Sequence, residues 1–382
     1  MIYLDNQATT RCDPDVLARM LPWFSEDFGN PHSEGHAAGH RAAEAVETAR
    51  EEVAALIGAM PREVVFTSGA TEANNMAIKG AARFLARQDS PRKRLITVAT
   101  EHKCVLESVR ELANEGFDPV ILPVSSSGLL DQAHLAKALE TPTALVSVMT
   151  ANNETGVIQD ISALSAMARQ AGALFHTDAA QAAGKMALTC EGVDLMSLSA
   201  HKFYGPKGVG ALYVRHRPRA RLLPLFSGGG QERGLRSGTL PTPLIVGFGR
   251  AAQLARASLE EEQVRLRSLR RTLLEGLETL FPGIGVNAES APRLAGALNL
   301  IFPPGYLARD VMAALPEVAL STGSACTSAE VSPSYVLTAM GLEAKDAARC
   351  LRLSLGRFTS TPEIVQALRQ FEGAARKAYK AA

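Results

Sequence analysis

Polar and ionisable side chains follow five of the strands that we predict between residues 60 and 215, each where a strand ends. The five segments are Ser68–Glu72, Thr100–His102, Ala151–Glu154, Thr177–Gln181 and Ser199–Lys202. In open α/β sheets, ligands bind beyond the carboxyl ends of the strands. A single polar strand end is common, whereas five of them at one edge of a sheet predict a binding site.

The residue types at these strand ends suit one cofactor. Gly69-Ala70-Thr71 opens a helix, and the free N–H groups and hydroxyl of such a turn suit a phosphate, although many α/β loops look alike. Asp178 could keep a pyridine nitrogen protonated, but such an aspartate is more often a helix N-cap. Lys202 could form an imine if its pKa is depressed, whereas most lysines are solvated. With the His102 ring, this set predicts a pocket for pyridoxal 5'-phosphate (PLP).

Cys326 lies in a run of small residues, Ser321–Ala329, which suits a mobile loop better than a core. A buried structural cysteine more often stands among leucine, isoleucine and valine. The other cysteines are scattered without a C-x-x-C pair, so we expect neither a metal cluster nor a disulfide framework. Cys104 and Cys350 neighbour apolar positions, and we interpret them as buried residues without a part in the chemistry; Cys12 and Cys190 carry no signal.

Strands and helices alternate in the part of the chain that would hold these residues. Amphipathic segments such as 71–86 and 161–171 separate most of the strands, and this rhythm predicts βαβ units. We therefore expect an α/β fold with a mostly parallel, seven-stranded sheet that is covered on both faces. The predicted strands are Glu63–Thr67, Arg94–Ala99, Val120–Pro123, Ala144–Met149, Ala173–His176, Asp194–Ser199 and Gly210–Val214.

A second, smaller α+β domain is expected after a long amphipathic helix over Ala251–Leu280, and it should end in a helix over Pro362–Lys380. We predict a large cofactor-binding domain over residues 15–255. Residues 1–14 and 256–382 would form the small domain that carries Cys326. The chain of 382 residues is long enough for both domains.

Composition and charge argue against several other classes of protein. The formal net charge is +1 and no long basic run occurs, so a direct nucleic-acid surface is not indicated. No apolar stretch approaches the ~20 residues that span a bilayer, and the N-terminus lacks a signal-peptide pattern, so we expect a cytosolic protein. His32, His36 and His40 have the spacing of ligands on one helix face, but no complete ligand set accompanies them, so we predict no metal site.

Several short segments resemble those of the cysteine desulfurases of the NifS/IscS type, which are fold-type I PLP enzymes of aminotransferase class V. The resemblance covers nearly the whole chain, and its specificity comes from the segments together. They are Tyr3–Thr10 (YLDNQATT), Gly29–Ser33 (GNPHS), Phe66–Glu72 (FTSGATE), Thr100–Lys103 (TEHK), Asn152–Gly156 (NNETG), His176–Gln181 (HTDAAQ), Ser199–Gly208 (SAHKFYGPKG), Arg233–Thr239 (RGLRSGT), Ser324–Ser328 (SACTS) and Leu355–Thr359 (LGRFT).

The resemblance implies a role for each matching residue. Lys202 matches the lysine that binds the cofactor as an imine, and Asp178 the partner of its pyridine nitrogen. His102 matches the imidazole that stacks on the ring and assists proton transfer, and Cys326 matches the nucleophile that takes up sulfur. Gln181 would contact the phenolic oxygen of the cofactor, and Thr239 would contribute from a second subunit. The residues that would hold the phosphate are Ala70, Thr71, Ser199 and His201. Asn153 and Arg352 would orient the substrate, and Arg352 would bind the α-carboxylate of the substrate.

The activity implied by this resemblance is the transfer of sulfur from L-cysteine to Cys326 with release of L-alanine, in a homodimer whose active site lies at the subunit interface. A selenocysteine lyase, another class V enzyme such as an aminotransferase, and a sulfur carrier without catalysis are the alternatives. Transamination needs no thiol, and a carrier would not need Lys202. From the resemblance, we expect the chain to lack the C-terminal segment with which IscS-like members dock an iron–sulfur scaffold. The protein acceptor could therefore serve iron–sulfur assembly, tRNA thiolation or DNA phosphorothioation.

Overall fold

The computed structural model describes residues 1–323 and 333–379, so Cys326 lies outside the described residues. The strands are β1 (Ile2–Tyr3), β2 (Val64–Thr67), β3 (Arg94–Val98), β4 (Asp118–Leu122), β5 (Thr143–Ser147), β6 (Leu174–Asp178), β7 (Leu195–Ser199), β8 (Gly210–Val214), β9 (Gly285–Val286), β10 (Ala297–Ile301), β11 (Val318–Ala319) and β12 (Cys350–Ser354). The predicted strands therefore all form, with ends that differ by a few residues.

The α-helices are α1 (Pro14–Met20), α2 (Pro22–Ser25), α3 (Ala37–Leu56), α4 (Ala70–Arg87), α5 (Lys103–Glu111), α6 (Gln132–Leu139), α7 (Ile161–Gln170), α8 (Thr242–Leu280), α9 (Ala308–Ala313), α10 (Tyr335–Ala339), α11 (Ala344–Ala347) and α12 (Thr361–Lys377). Within the described residues, none of them is both long enough and apolar enough to cross a membrane.

Seven strands form the large sheet, in the order β2-β8-β7-β6-β5-β3-β4. Pairing is parallel from β7 through β6, β5 and β3 to β4, whereas β8 is antiparallel to both of its neighbours. All strands of this sheet except β8 therefore run in one direction. This confirms the predicted mostly parallel, seven-stranded sheet.

Helices cover both faces of the large sheet. Because side chains alternate across a strand, Phe66 joins the apolar cluster under α3 and α8, while its neighbour Val65 joins the cluster under α4 and α5. The helices α3 and α8 approach closely: a Cβ on Gly249 would lie 2.6 Å from Ala49 Cα. The carboxyl edge of the sheet remains open between these layers.

A second apolar cluster lies around the three-stranded antiparallel sheet β12-β10-β9 and the pair β1–β11. Leu4, Leu273, Phe281, Leu353 and Phe371 belong to it, so the two ends of the chain and the C-terminal half of α8 share one core. The predicted domain limits stay a prediction: residues 15–255 for the large domain, and residues 1–14 with 256–382 for the small one. The separate apolar cluster supports this division.

Two predictions about helices need correction. The long helix α8 begins at Thr242 rather than at Ala251, because Pro243 is tolerated in a first helical turn and the following residues are buried. The three histidines do not share a helix face, since His32 precedes α3 and His36 caps it, its Nδ1 accepting from Gly39 N at 3.1 Å. No group of potential ligands in the described part of the chain could hold a metal ion.

Candidate active site

The five polar strand ends meet at one cavity of 510 Å³, which lies at the carboxyl edge of the large sheet. The predicted site residues that line it are Ala70, Thr71, His102, Asn153, Asp178, Gln181, Ser199, His201, Lys202 and Arg352. Thr239 does not line the cavity of its own chain and is exposed. The geometry thus brings together every predicted site residue except Thr239 and Cys326, the latter outside the described residues.

One end of the cavity is built for an anion. The helix α4 begins at Ala70, directly after β2, and its first N–H groups have no partner within the helix. Gly69 caps it with φ +151°, and a Cβ on Gly210 would come within 2.6 Å of Gly69 Cα. Both glycines are therefore needed for the turn to lie this close to β8. A helix start of this kind attracts phosphate through its amides and its dipole.

Lys202 and His201 lie in a short 3-10 turn after β7, facing the N-terminal segment. The Lys202 Nζ donates to the carbonyl oxygens of Gln7 at 2.9 Å and Ala8 at 2.8 Å. The His201 Nδ1 lies 3.0 Å from the Thr9 hydroxyl. Burial, helped by the neighbouring lysine charges, lowers the pKa of His201 to about 4. His201 is therefore neutral at physiological pH.

The Asp178 carboxylate, at the end of β6, is buried and held at both oxygens. Its Oδ1 accepts from Ala180 N at 2.9 Å, and its Oδ2 accepts from Asn74 Nδ2 at 2.7 Å. The bond to Ala180 closes a turn and does not start an α-helix, so the N-cap alternative for Asp178 is wrong. The carboxylate has one fixed orientation at the cavity wall.

His102 caps α5, and its ring contacts Cys104. The His102 Nδ1 accepts from Cys104 N at 3.2 Å and lies 3.0 Å from Cys104 Sγ. Burial lowers the pKa of His102, and the charge of Asp178 opposes this effect. Cys104 is half-buried and not fully buried as predicted, and it lines the cavity and contacts His102. The interpretation of Cys104 as a residue away from the chemistry is therefore corrected.

Arg352, on β12, reaches the cavity from the other side. Its guanidinium donates to Asp5 Oδ1 at 2.7 Å, to Asn153 O at 2.9 Å and to Gly323 O at 3.1 Å. The Arg352 Nε and the Asn153 Oδ1 are buried and have no partner among the described residues. The Arg352 Nε is therefore available to donate to the carboxylate of a small zwitterion, and the Asn153 Oδ1 is available to accept from its ammonium group.

Two residues at the cavity, one behind its wall and one on it, were not predicted. Glu101 is fully buried behind the wall, and burial, together with the Asp178 charge, raises the pKa of its carboxyl well above the ordinary value. Gln7 closes the cavity over Lys202. Glu101 precedes His102 in the sequence, which is a usable signal. Gln7 lies in the segment Tyr3–Thr10 that carries the resemblance, but its contact with Lys202 spans 195 positions, which no local pattern predicts.

The residues present fit PLP. A helix start suits its phosphate, the Asp178 carboxylate suits a protonated pyridine nitrogen, and the Lys202 amine suits an aldehyde. The partnerless Asn153 Oδ1 and Arg352 Nε show that the wall is incomplete without a bound polar molecule.

Comparisons with known proteins agree with this geometry. The aminotransferase class-V family matches residues 2–368. A cysteine desulfurase IscS of Anaeromyxobacter sp. (strain Fw109-5) is 52% identical over 371 residues, which cover 96% of this chain and 91% of that protein. The solved structure of a NifS-like protein has a TM-score of 0.89 at 37% identity and covers 97% of this chain and 98% of that one.

A structure described as SspA in complex with cysteine has a TM-score of 0.82 at 38% identity, over 94% of this chain and 100% of that one. The predicted family and fold are confirmed by these matches. The chain belongs to the aminotransferase class-V family.

Proposed function

We propose that this chain is a PLP-dependent cysteine desulfurase, which moves sulfur from L-cysteine to Cys326 and releases L-alanine. One observation carries the proposal. The Lys202 amine, the Asp178 carboxylate, the His102 imidazole and the Arg352 guanidinium surround a single cavity, in a chain that is 52% identical to a cysteine desulfurase.

The residues around the cavity would divide the work of holding the cofactor. When bound, PLP supplies a ring that stabilises negative charge at the substrate Cα. Asp178 would keep the proton on the pyridine nitrogen, and Gln181 would contact the phenolic oxygen. Lys202 would hold the aldehyde carbon covalently and, once released by substrate, take up the Cα proton. The phosphate would be held by Ala70, Thr71, Ser199 and His201.

The substrate would be oriented by Arg352 and Asn153. The free Arg352 Nε is a charge-assisted donor for an α-carboxylate, and Asn153 lies beside it. Because Asp5, Asn153 and Gly323 already hold the guanidinium, it is positioned before substrate arrives. A preformed contact of this kind reduces the ordering that binding requires.

The sulfur step would use Cys326. Its thiolate attacks the substrate sulfur, the C–S bond breaks, and the electron pair stays with the carbon, which takes up a proton to give alanine. Cys326 then holds a persulfide for transfer to a protein acceptor. The acceptor's pathway (iron–sulfur assembly, tRNA thiolation or DNA phosphorothioation) and the cytosolic location are parts of this proposal that rest on the sequence.

A homodimer with shared sites is also part of the proposal. Thr239 is exposed and outside its own cavity, as a residue that serves a partner subunit would be. An exposed apolar set near α1 and α2 would suit the interface, and it consists of Leu17, Leu21, Phe24 and Phe28. Mixing inactive Lys202→Ala and Thr239→Ala subunits should restore part of the activity, because one of the two hybrid sites would be intact. No recovery in verified mixed dimers would argue against the shared site.

The activity itself is tested by measuring sulfide and alanine release from L-cysteine together with the visible spectrum of the cofactor. Wild type should release both products, and Cys326→Ala should release neither while keeping the cofactor band. Cys190→Ala, which removes a thiol far from the cavity, is the matched control and should behave as wild type. A yellow protein whose turnover ignores Cys326 would favour the aminotransferase or selenocysteine lyase alternatives.

A further inference from the structure

Hydrogen bonds at the cavity wall join the Asp178 carboxylate to the His102 imidazole through Asn74 and Cys104. Asn74, on α4, is fully buried, and its Nδ2 donates to Asp178 Oδ2 at 2.7 Å. The same Nδ2 lies 3.2 Å from Cys104 Sγ, and Cys104 Sγ lies 3.0 Å from His102 Nδ1. Three elements, α4, β6 and the start of α5, thus meet through one polar chain.

The chemistry of the four groups fixes the direction of each bond. A carboxylate only accepts, so Asn74 must turn its amino group toward Asp178, and its second hydrogen then reaches Cys104 Sγ. The Cys104 thiol, which also contacts the Thr71 hydroxyl, accepts from Asn74 and can donate its own hydrogen to His102 Nδ1. The Cys104 backbone N–H donates to the same Nδ1 at 3.2 Å. Nδ1 therefore presents a lone pair, and the neutral ring carries its proton on Nε2.

We propose that Asn74 and Cys104 are positioning residues, which hold Asp178 and His102 as one hydrogen-bonded unit and fix His102 as the tautomer with the proton on Nε2. The inference rests on the proposed function for the roles of Asp178 and His102, and it adds two residues to that site. His102 would thereby offer the bound molecules an N–H donor and not a lone pair.

The surroundings support this arrangement. The Cys104 thiol must keep its hydrogen in order to donate, and burial together with the Asp178 charge raises its pKa to about 12. The charged groups that act on His102 are Asp178, Lys202 and Lys103. None of them is substituted in the variants described next, so a shift in His102 protonation in Cys104→Ala would report the Cys104 contact.

The test compares Asn74→Ala, Cys104→Ala and Cys104→Ser with Asn75→Ala. Asn75 is the matched control, because its amide donates to Thr71 O of its own helix and, among the described residues, does not bond to Asp178, Cys104 or His102. The first readout is the Kd for PLP, measured by titrating apoenzyme. Asn74→Ala should weaken binding on the order of tenfold, since it removes a bond to a charged group. Cys104→Ala should weaken it by a smaller factor, and Cys104→Ser, which keeps a donor, should restore it.

The second readout is the ¹⁵N NMR chemical shifts of the two ring nitrogens of His102, measured in holoenzyme labelled with ¹⁵N-histidine. The His102→Asn variant identifies these signals, because they are missing from its spectrum. Wild type should show the proton on Nε2. The protonation midpoint of His102 should rise in Cys104→Ala, because one donor that opposes a proton on Nδ1 is lost, and return in Cys104→Ser. A proton on Nδ1 in wild type would overturn the proposal, as would Asn74→Ala and Cys104→Ala variants that match Asn75→Ala in both readouts. Neither readout needs turnover, so an enzyme that releases no sulfide would refute the proposed function separately.

Discussion

The Asp5 carboxylate accepts a hydrogen bond from the Arg352 guanidinium at 2.7 Å and thereby ties the N-terminal segment to β12 at the cavity wall. The Arg352 side chain is 3% exposed and that of Asp5 is 16% exposed, so water screens the pair weakly. Apart from this carboxylate, the partners of the guanidinium among the described residues are backbone carbonyls. The orientation of Arg352 therefore depends on Asp5 more than on its other contacts.

Asp5→Asn should raise the KM for L-cysteine on the order of tenfold, because the guanidinium loses its charged anchor while keeping its own charge. The value of kcat should change less, and the cofactor spectrum should stay intact. Steady-state sulfide release measures both constants. Asp15→Asn is the control, since the Asp15–Arg250 pair is exposed and far from the cavity, and it should leave KM unchanged. An unaltered KM in Asp5→Asn would contradict the anchoring role.

The Arg50–Glu232 ion pair should make a large contribution to stability. Both side chains are at most 3% exposed, two of their bonds measure 2.8 Å, and Glu232 also accepts from Phe66 N. Glu232→Gln keeps the shape but leaves the buried Arg50 charge with the exposed Glu47 carboxylate as its remaining counter-ion. We expect a loss of about 3–5 kcal/mol in the free energy of unfolding.

Urea-induced unfolding followed by circular dichroism measures this loss. Glu372→Gln breaks the exposed Glu372–Arg376 pair instead, and should cost less than about 1 kcal/mol. Equal losses in the two variants would show that burial of the Arg50 pair does not matter.

Much of the sheet and of the site could be predicted from the sequence, because both follow from local patterns. Apolar runs bounded by turns mark the strands, and the rule that ligands bind at carboxyl strand ends brought Asp178, His102 and Lys202 together. The Asp5–Arg352 pair spans 347 positions, and no periodicity signals such a contact. Cys104 was misread for a related reason, since apolar neighbours indicate burial but not which buried group a thiol touches.

The thiols of Cys104 and Cys350 should resist alkylation in the native protein. Burial raises the pKa of Cys104 to about 12 and that of Cys350 to about 11, so at about pH 8 very little of either is the reactive thiolate. Peptide mass spectrometry after brief iodoacetamide treatment should find both unmodified, and fully modified after denaturation. Cys326, as the proposed nucleophile, should be modified first. Native labelling of Cys104 or Cys350 as fast as that of Cys326 would contradict this prediction.

The Lys185 ammonium should make stability rise with pH in a specific window. It donates to Gln181 Oε1 at 3.1 Å, and burial, with a smaller contribution from the Lys202 charge, lowers its pKa from 10.5 to about 7. Between these values the unfolded chain binds a proton that the folded chain does not. Raising the pH through this window therefore stabilises the fold, by at most about 1.4 kcal/mol per pH unit. Below about pH 7 both states are protonated, and the folded state bears the full cost of burying the charge.

Lys185→Met removes the charge but keeps an unbranched side chain, so it should lose this dependence. The variant should have a higher Tm than wild type near pH 6.5, and the difference should shrink as the pH approaches about 10. Thermal unfolding at several pH values measures it. Lys137→Met, at an exposed position on α6, controls for the change of residue type and should track wild type. An ammonium that loses its proton on folding must make stability depend on pH. If the Tm difference between Lys185→Met and wild type stays constant over this range, the Lys185 amine does not titrate within it and the prediction is wrong.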